Sequence, residues 1–212
     1  MDQFVYSGAE LPDELYRIRY PESKTVFSEA EGFRAADTSR VFGADEVDEF
    51  GEAVGKQFTW GCRERLPFIS LFSSREHAEN WGRKEMWRYQ KDLAREWSLC
   101  VIDPTILRAS SRIFKLDVLV EKLELKIPKK AEQHIKGAFL CLHRIPKGAI
   151  VEERTPQQVE EDRAARFEEF YRKDTELVDN YGENNSSVKE KKHSADDDLL
   201  CKELGKLNLG LA

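Results

Sequence analysis

Apolar positions along this chain fall into short runs divided by polar, turn-forming residues. Leu15–Tyr20 alternates Leu15, Arg17 and Arg19 with Tyr16, Ile18 and Tyr20, the period of a strand, and Pro21 ends it. Residues 21–42 show no period, with Gly32-Phe33 as a turn and an anchor. An acidic helix is predicted over 44–57, with Val47, Phe50 and Val54 on one face and Gly51 and Gly55 weakening it. Pro67–Ser74 is apolar on both faces through Phe68, Ile69, Leu71 and Phe72, as a buried strand would be. Ser73-Ser-Arg-Glu76 has the capping-box spacing, so a helix should start there and run to about Glu96.

Trp97–Asp103 reads as a strand closed by Pro104, and 105–109 as a short helical turn. Ile113–Leu125 is mixed, partly strand by the alternation of Phe114/Leu116 and Val118/Val120. Lys136–Pro146 is a buried strand followed by a turn, and Ala149–Glu153 a last strand. Thr155-Pro-Gln-Gln158 starts a helix, with a hydroxyl at the cap and proline at the first helical position, that should reach about Tyr181 before Gly182. Phe167 and Phe170 would bury its apolar side. Residues 183–198 have almost no apolar content and read as a disordered acidic linker before a leucine-rich tail, 199–212.

The alternation of strands and helices is too uneven for a doubly wound parallel sheet, and no GxGxxG or Walker loop is present. The fold class is therefore α+β, with residues 1–153 as one domain, 154–182 as a C-terminal helix, then linker and tail. The net charge of −6 over 212 residues disfavours nucleic acid as a partner, because phosphate neutralisation needs a basic surface. No run of membrane-spanning length and no secretory leader is evident, which predicts a cytoplasmic protein without a membrane partner.

Cys62, Cys100, Cys141 and Cys201 form no CxxC pair, so no metal is expected, and Cys100 and Cys141 read as small buried residues. A hydrolase built on Cys141 and His143 has nothing to orient its base, and His134 has no Ser or Cys partner. Trp60, Trp81, Trp87 and Trp97 are expected in packing roles. Leu200, Leu204, Leu207 and Leu209 have the spacing that resembles a nuclear export signal, and would allow shuttling from the nucleus.

Three blocks carry a resemblance. Leu15-Tyr-Arg17, followed by Gly32-Phe33, resembles the strand that opens the ADP-ribosyltransferase fold in its Arg-Ser-Glu, pertussis-toxin-like branch. Phe68-Ile-Ser70-Leu-Phe-Ser73 resembles that branch's serine strand, and Phe139-Leu-Cys-Leu-His-Arg-Ile-Pro146 with Ile150 its glutamate strand and turn. The arrangement over about 11–153 also looks like an uncharacterised fungal domain family.

The resemblance implies a split β-sheet core with flanking helices, and NAD as co-substrate. It assigns Arg17 to the pyrophosphate, with Arg19 as fallback on the same strand face, and Ser70 to positioning the ribose. A glutamate should stand at Ala138 to stabilise the cationic sugar, and an acid or Gln at Lys136. Ala138 supplies no acceptor and Lys136 adds an opposing charge. The implied reading is an NAD-binding ADP-ribosyltransferase-like glycosyltransferase that is inactive or strongly impaired, by natural degeneration or by engineered substitution, with an unidentified protein acceptor. The alternative reading is a non-catalytic interaction module on the same fold, acting through its C-terminal helix and leucine tail.

Overall fold

The computed structural model describes residues 2–6, 11–21, 23–59, 62–83 and 97–183. The helix beyond Arg83, the acidic linker and the leucine tail lie outside the described residues. The chain divides into two units, 1–162 and 163–212.

The first unit is built on two antiparallel sheets. Strands β1 (Leu15–Arg19), β4 (Phe68–Phe72), β5 (Ser98–Ile102), β6 (Ile113–Lys115), β7 (Ala138–Leu142) and β9 (Ile150–Arg154) form the larger one, in the order β6-β7-β4-β1-β5-β9. Strands β2 (Val26–Ser28), β3 (Gly32–Arg34) and β8 (Arg144–Pro146) form the smaller one, in the order β2-β3-β8. The helices are α1 (Val47–Gln57), α2 (Arg75–Arg83), α3 (Pro104–Ser110), α4 (Leu116–Lys122), α5 (Lys129–Glu132) and α6 (Pro156–Glu183). The α+β expectation holds.

Strand alternation sorts the side chains of the large sheet onto two faces. Leu15, Ile69, Leu71, Cys100, Ile102, Ile113, Phe139 and Cys141 share one core with Phe33 and Ile145 of the small sheet. Phe68, Ala138, Leu140, Leu142 and Phe114 face the other way, where Phe50 and Val54 of α1 and Leu116 and Leu119 of α4 cover them. Tyr16, Ile18, Leu99 and Val101 meet Ala78 of α2 and Val159 of α6. Val54 and Phe50 are fully buried, so the apolar face read for α1 is the face it uses.

The chain passes from one sheet to the other at His143. That residue adopts a positive φ of 64°, and its amide donates to the Pro67 carbonyl while its own carbonyl accepts from Ala35. The run read as one strand and a turn is therefore two strands in different sheets, because His143 reverses the pleat between β7 and β8. Gly32 opens β3 with φ 89°, and a Cβ there would lie 2.3 Å from the Ile145 carbonyl oxygen, so this close approach of β3 to β8 requires glycine.

Three further expectations need correction. Residues 113–115 are the strand expected within 113–125, but 116–122 are helix, since Leu116 and Leu119 bury one helical face and the Val118/Val120 alternation is incidental. Residues 26–28 are a strand edge completed by β3, which an exposed Val26 conceals in the sequence. Ser74 is the cap of α2, accepting from the His77 amide at 3.2 Å. Ser73 instead binds the Gly137 carbonyl through both its amide (2.8 Å) and its hydroxyl (3.0 Å). The reciprocal cap of α6 is present: Thr155 N–H donates to Gln158 Oε1 and Gln158 N–H to Thr155 Oγ1.

In the second unit, α6 continues with Phe167 54 %, Phe170 66 % and Tyr171 57 % exposed, against the burial expected of the two phenylalanines. No helix among the described residues is long and apolar enough to cross a membrane.

Candidate functional site

The large sheet is not continuous at its centre. β1 pairs with β5 over five residues but meets β4 at one position, Tyr16 opposite Phe72. Beyond that point the two strands part, and the side chain of Arg17 occupies the gap. Arg17 is 8 % exposed. Its Nη1 donates to the Ser70 carbonyl at 2.8 Å, and its Nη2 to Thr25 Oγ1 at 2.5 Å and Ser23 Oγ at 3.2 Å. Its guanidinium lies 5.3 Å from the Phe33 ring centroid. Its Nε is buried with no hydrogen-bond partner.

The electrostatics of this arrangement are unusual. Among the described residues no carboxylate pairs with Arg17, although the chain holds 40 acidic residues. Burial pulls the guanidinium below its ordinary pKa, yet an arginine stays protonated in a protein. The same burial pushes the neighbouring thiols of Cys100 and Cys141 up to about 12, so neither supplies a counter-charge at neutral pH. A desolvated cation without an anion costs several kcal/mol by general experience, of order 3–5 when a partner is removed from a buried pair.

Arg19 sits differently. Its Nη2 is 2.6 Å from Glu153 Oε1, its Nε donates to Ser98 Oγ at 3.1 Å, and its guanidinium stacks 4.5 Å above the Phe27 ring centroid. It is already neutralised by protein groups.

Ser70 on β4 lies beside Arg17 through its backbone. Its hydroxyl points to the opposite sheet face and takes a 3.0 Å hydrogen bond from Gln57 Nε2, at the end of α1. Ala138 begins β7, opposite Phe72 and diagonal to Ser70, on the same face as the Ser70 hydroxyl. It is 2 % exposed and belongs to the phenylalanine-rich cluster with Phe50 and Phe68. Lys136 is exposed in the turn before β7. Gly137 follows with φ 82°, and a Cβ there would meet Ser73 Oγ at 2.7 Å.

The three strands of the expected site are thus consecutive neighbours, β7-β4-β1. The Arg17 guanidinium and Ser70 carbonyl meet directly; the Ser70 hydroxyl and Ala138 lie across the sheet from the Arg17 side chain. Ser23, Thr25 and Gln57 were not singled out in the sequence. Ser23 and Thr25 fall in the segment without a hydrophobic period, and Gln57 is one polar residue at the end of an amphipathic helix, so no local signal marks them.

A cavity of about 420 Å³ opens on the small sheet, lined by Lys24, Arg34, Thr38, Arg63, Glu64 and Arg65 over a floor of Ala35 and Ala36. No group of three or more His, Cys, Asp or Glu among the described residues is placed to hold a metal ion.

These features lie within residues 10–159, which match the family described as a domain of unknown function (DUF7587). The chain belongs to that family. Among solved structures it is similar to EcPltA, at 17 % identity and a TM-score of 0.43, over 67 % of this chain and 74 % of that one. No curated protein matches the sequence.

Proposed function

We propose that this chain binds NAD at the split between β1 and β4, with Arg17 toward the pyrophosphate, and that it transfers ADP-ribose weakly or not at all. One observation carries the reading: Arg17 is a buried guanidinium with an orphaned Nε and no carboxylate partner among the described residues. A ligand anion supplies the missing charge, and the planar fork suits phosphate oxygens. The order of the sequence blocks around Arg17, Ser70 and Ala138 supports NAD as the anion's source.

The residues present fit the cofactor's binding better than its chemistry. Ser23 and Thr25 hydroxyls sit on Nη2 and already hydrogen-bond each other at 2.6 Å, so they stay partnered when a phosphate takes Nη2. Bound NAD would supply a ribosyl group that leaves nicotinamide through a cationic sugar. A carboxylate that stabilises such a cation is worth about 10²–10³ in rate or more. The position expected to carry it is the methyl group of Ala138, in an apolar cluster.

The test is nicotinamide release from NAD by the natural chain and by Ala138→Glu. The natural chain should bind NAD and release no nicotinamide above background. Release in the variant would mean that the carboxylate was the missing group. Rapid turnover by the natural chain would overturn the assignment of Ala138, and absence of NAD binding at millimolar concentration would overturn the site itself.

The exposed Phe167, Phe170 and Tyr171 favour a second reading, a partner-binding role for the C-terminal helix. Truncation before Arg163 would then remove partner binding and leave NAD binding intact.

A further inference from the structure

The cavity on the small sheet is chemically distinct from the Arg17 gap. The segment leading into β2 separates them: Ser23 and Thr25 turn their hydroxyls to Arg17, while Lys24 and Val26 line the cavity. Segment 23–26 is therefore a wall with one site on each side.

Four cationic side chains surround the cavity, Lys24, Arg34, Arg63 and Arg65, with one lining acid, Glu64. That acid is paired with Lys56, whose Nζ lies 2.9 and 3.0 Å from its two carboxylate oxygens. Two further acids stand near these cations, Asp37 near Arg65 and Glu31 near Arg34, and both are engaged. Asp37 accepts from Ser39 N–H, Ser39 Oγ and Arg40 N–H, and Glu31 stands 3.6 Å from Arg34 in an exposed pair. The Arg65 Nε donates to the Ala36 carbonyl at 2.8 Å, which fixes the side chain at the rim and leaves its two terminal nitrogens for a ligand. Lys24 Nζ donates to the Cys62 carbonyl, which anchors the 62–65 loop against the small sheet.

We propose that this cavity is a binding site for a phosphorylated small molecule of nucleotide size. Like charges gathered around a concave surface repel unless an anion joins them, and guanidinium forks match phosphate oxygens. A volume of about 420 Å³ exceeds what one phosphate needs and falls in the range of about 300–1,000 Å³ seen for small-molecule sites. The cations converge on one hollow of a chain whose net charge is −6, which is unlike the basic stripe that a nucleic-acid strand requires.

The test is calorimetric titration of the full chain with ADP, adenosine and inorganic phosphate at low and moderate salt. ADP should bind saturably and more tightly than phosphate, adenosine hardly at all, and the ADP affinity should fall as salt rises. The double variant Arg34→Glu/Arg63→Glu should weaken ADP at least tenfold, with Arg34→Gln/Arg63→Gln intermediate and both variants unfolding at an unchanged temperature. Arg17→Met removes the pyrophosphate site of the proposed function, so saturable ADP binding that persists in this variant, and that weakens at least tenfold when Arg34→Glu/Arg63→Glu is added to it, belongs to the cavity and separates the two sites. Equal binding of adenosine, ADP no tighter than phosphate, or full affinity in the charge-reversed variant would each overturn the proposal. So would loss of ADP binding in Arg17→Met alone.

Discussion

Replacing Arg17 with methionine separates a ligand-binding arginine from a structural one. Methionine keeps an unbranched stem in the same core and removes the charge and its donors. The losses are three hydrogen bonds, to the Ser70 carbonyl and to the Ser23 and Thr25 hydroxyls. The two hydroxyls bond each other at 2.6 Å, so they remain satisfied. The Ser70 carbonyl loses its donor, which costs about 1–3 kcal/mol. Against this stands the removal of a buried cation that has no carboxylate partner among the described residues. Exchanging buried ionic groups for apolar ones of similar volume is often neutral or stabilising by about 1–4 kcal/mol. The two effects are of similar size, so Arg17→Met should unfold within about 2 kcal/mol of the natural chain, or about 4–8 °C in Tm for a domain of this length. NAD binding should be lost. Thermal unfolding with calorimetry on the same samples reads both. A fall in stability of more than about 4 kcal/mol, together with retained NAD affinity, would mean that the arginine serves the fold and would refute the argument.

Other outcomes follow from the same geometry. Gly32→Ala places a Cβ 2.3 Å from the Ile145 carbonyl at a φ of 89°, so it should cost at least about 2 kcal/mol in urea unfolding or abolish folding. Asp103 Oδ1 accepts from the Thr105 and Ile106 amides at 2.7 and 3.1 Å, so Asp103→Ala should cost about 1 kcal/mol in the same assay. Burial raises the Cys100 and Cys141 thiols to about 12, whereas in the unfolded chain they titrate near about 8.5. The folded state then holds protons that the unfolded state has released. Stability should be flat below about pH 8 and fall toward pH 12 by up to about 2.7 kcal/mol per unit for the two thiols, read by urea unfolding across pH. A chain carrying Cys100→Ala and Cys141→Ala should lose that component of the slope.

The elements were legible in the sequence wherever burial is one-sided or a cap is local. β1, β4, β5 and α6 all carry such marks: a period of two, a continuous apolar run, or Thr155 and Gln158 at capping distance. The misread elements are those completed by distant partners. β2 exists because β3 pairs with it, and β8 belongs to the small sheet because His143 adopts a left-handed turn that no neighbour demands. Val118 and Val120 alternate as a strand would, but Leu116 and Leu119 bury the helical face.

The site was legible as a set of strands and not as a set of contacts. Arg17, Ser70 and Ala138 do fall on three adjacent strands. That Ser70 meets Arg17 through its carbonyl, with its hydroxyl turned to Gln57, follows from the pleat and the split of β1 from β4. Neither is written in the three short motifs. The cationic cavity was illegible for the same reason, since Lys24, Arg34 and the Arg63/Arg65 pair come from three segments that only the fold brings together.

The most direct measurement of the central claim is NAD titration into the natural chain and into Arg17→Met, followed by calorimetry. The account predicts saturable binding to the natural chain, loss of that binding in Arg17→Met, and no nicotinamide released from NAD during the titration. Equal affinity for both proteins, or no heat with either at millimolar NAD, would contradict it.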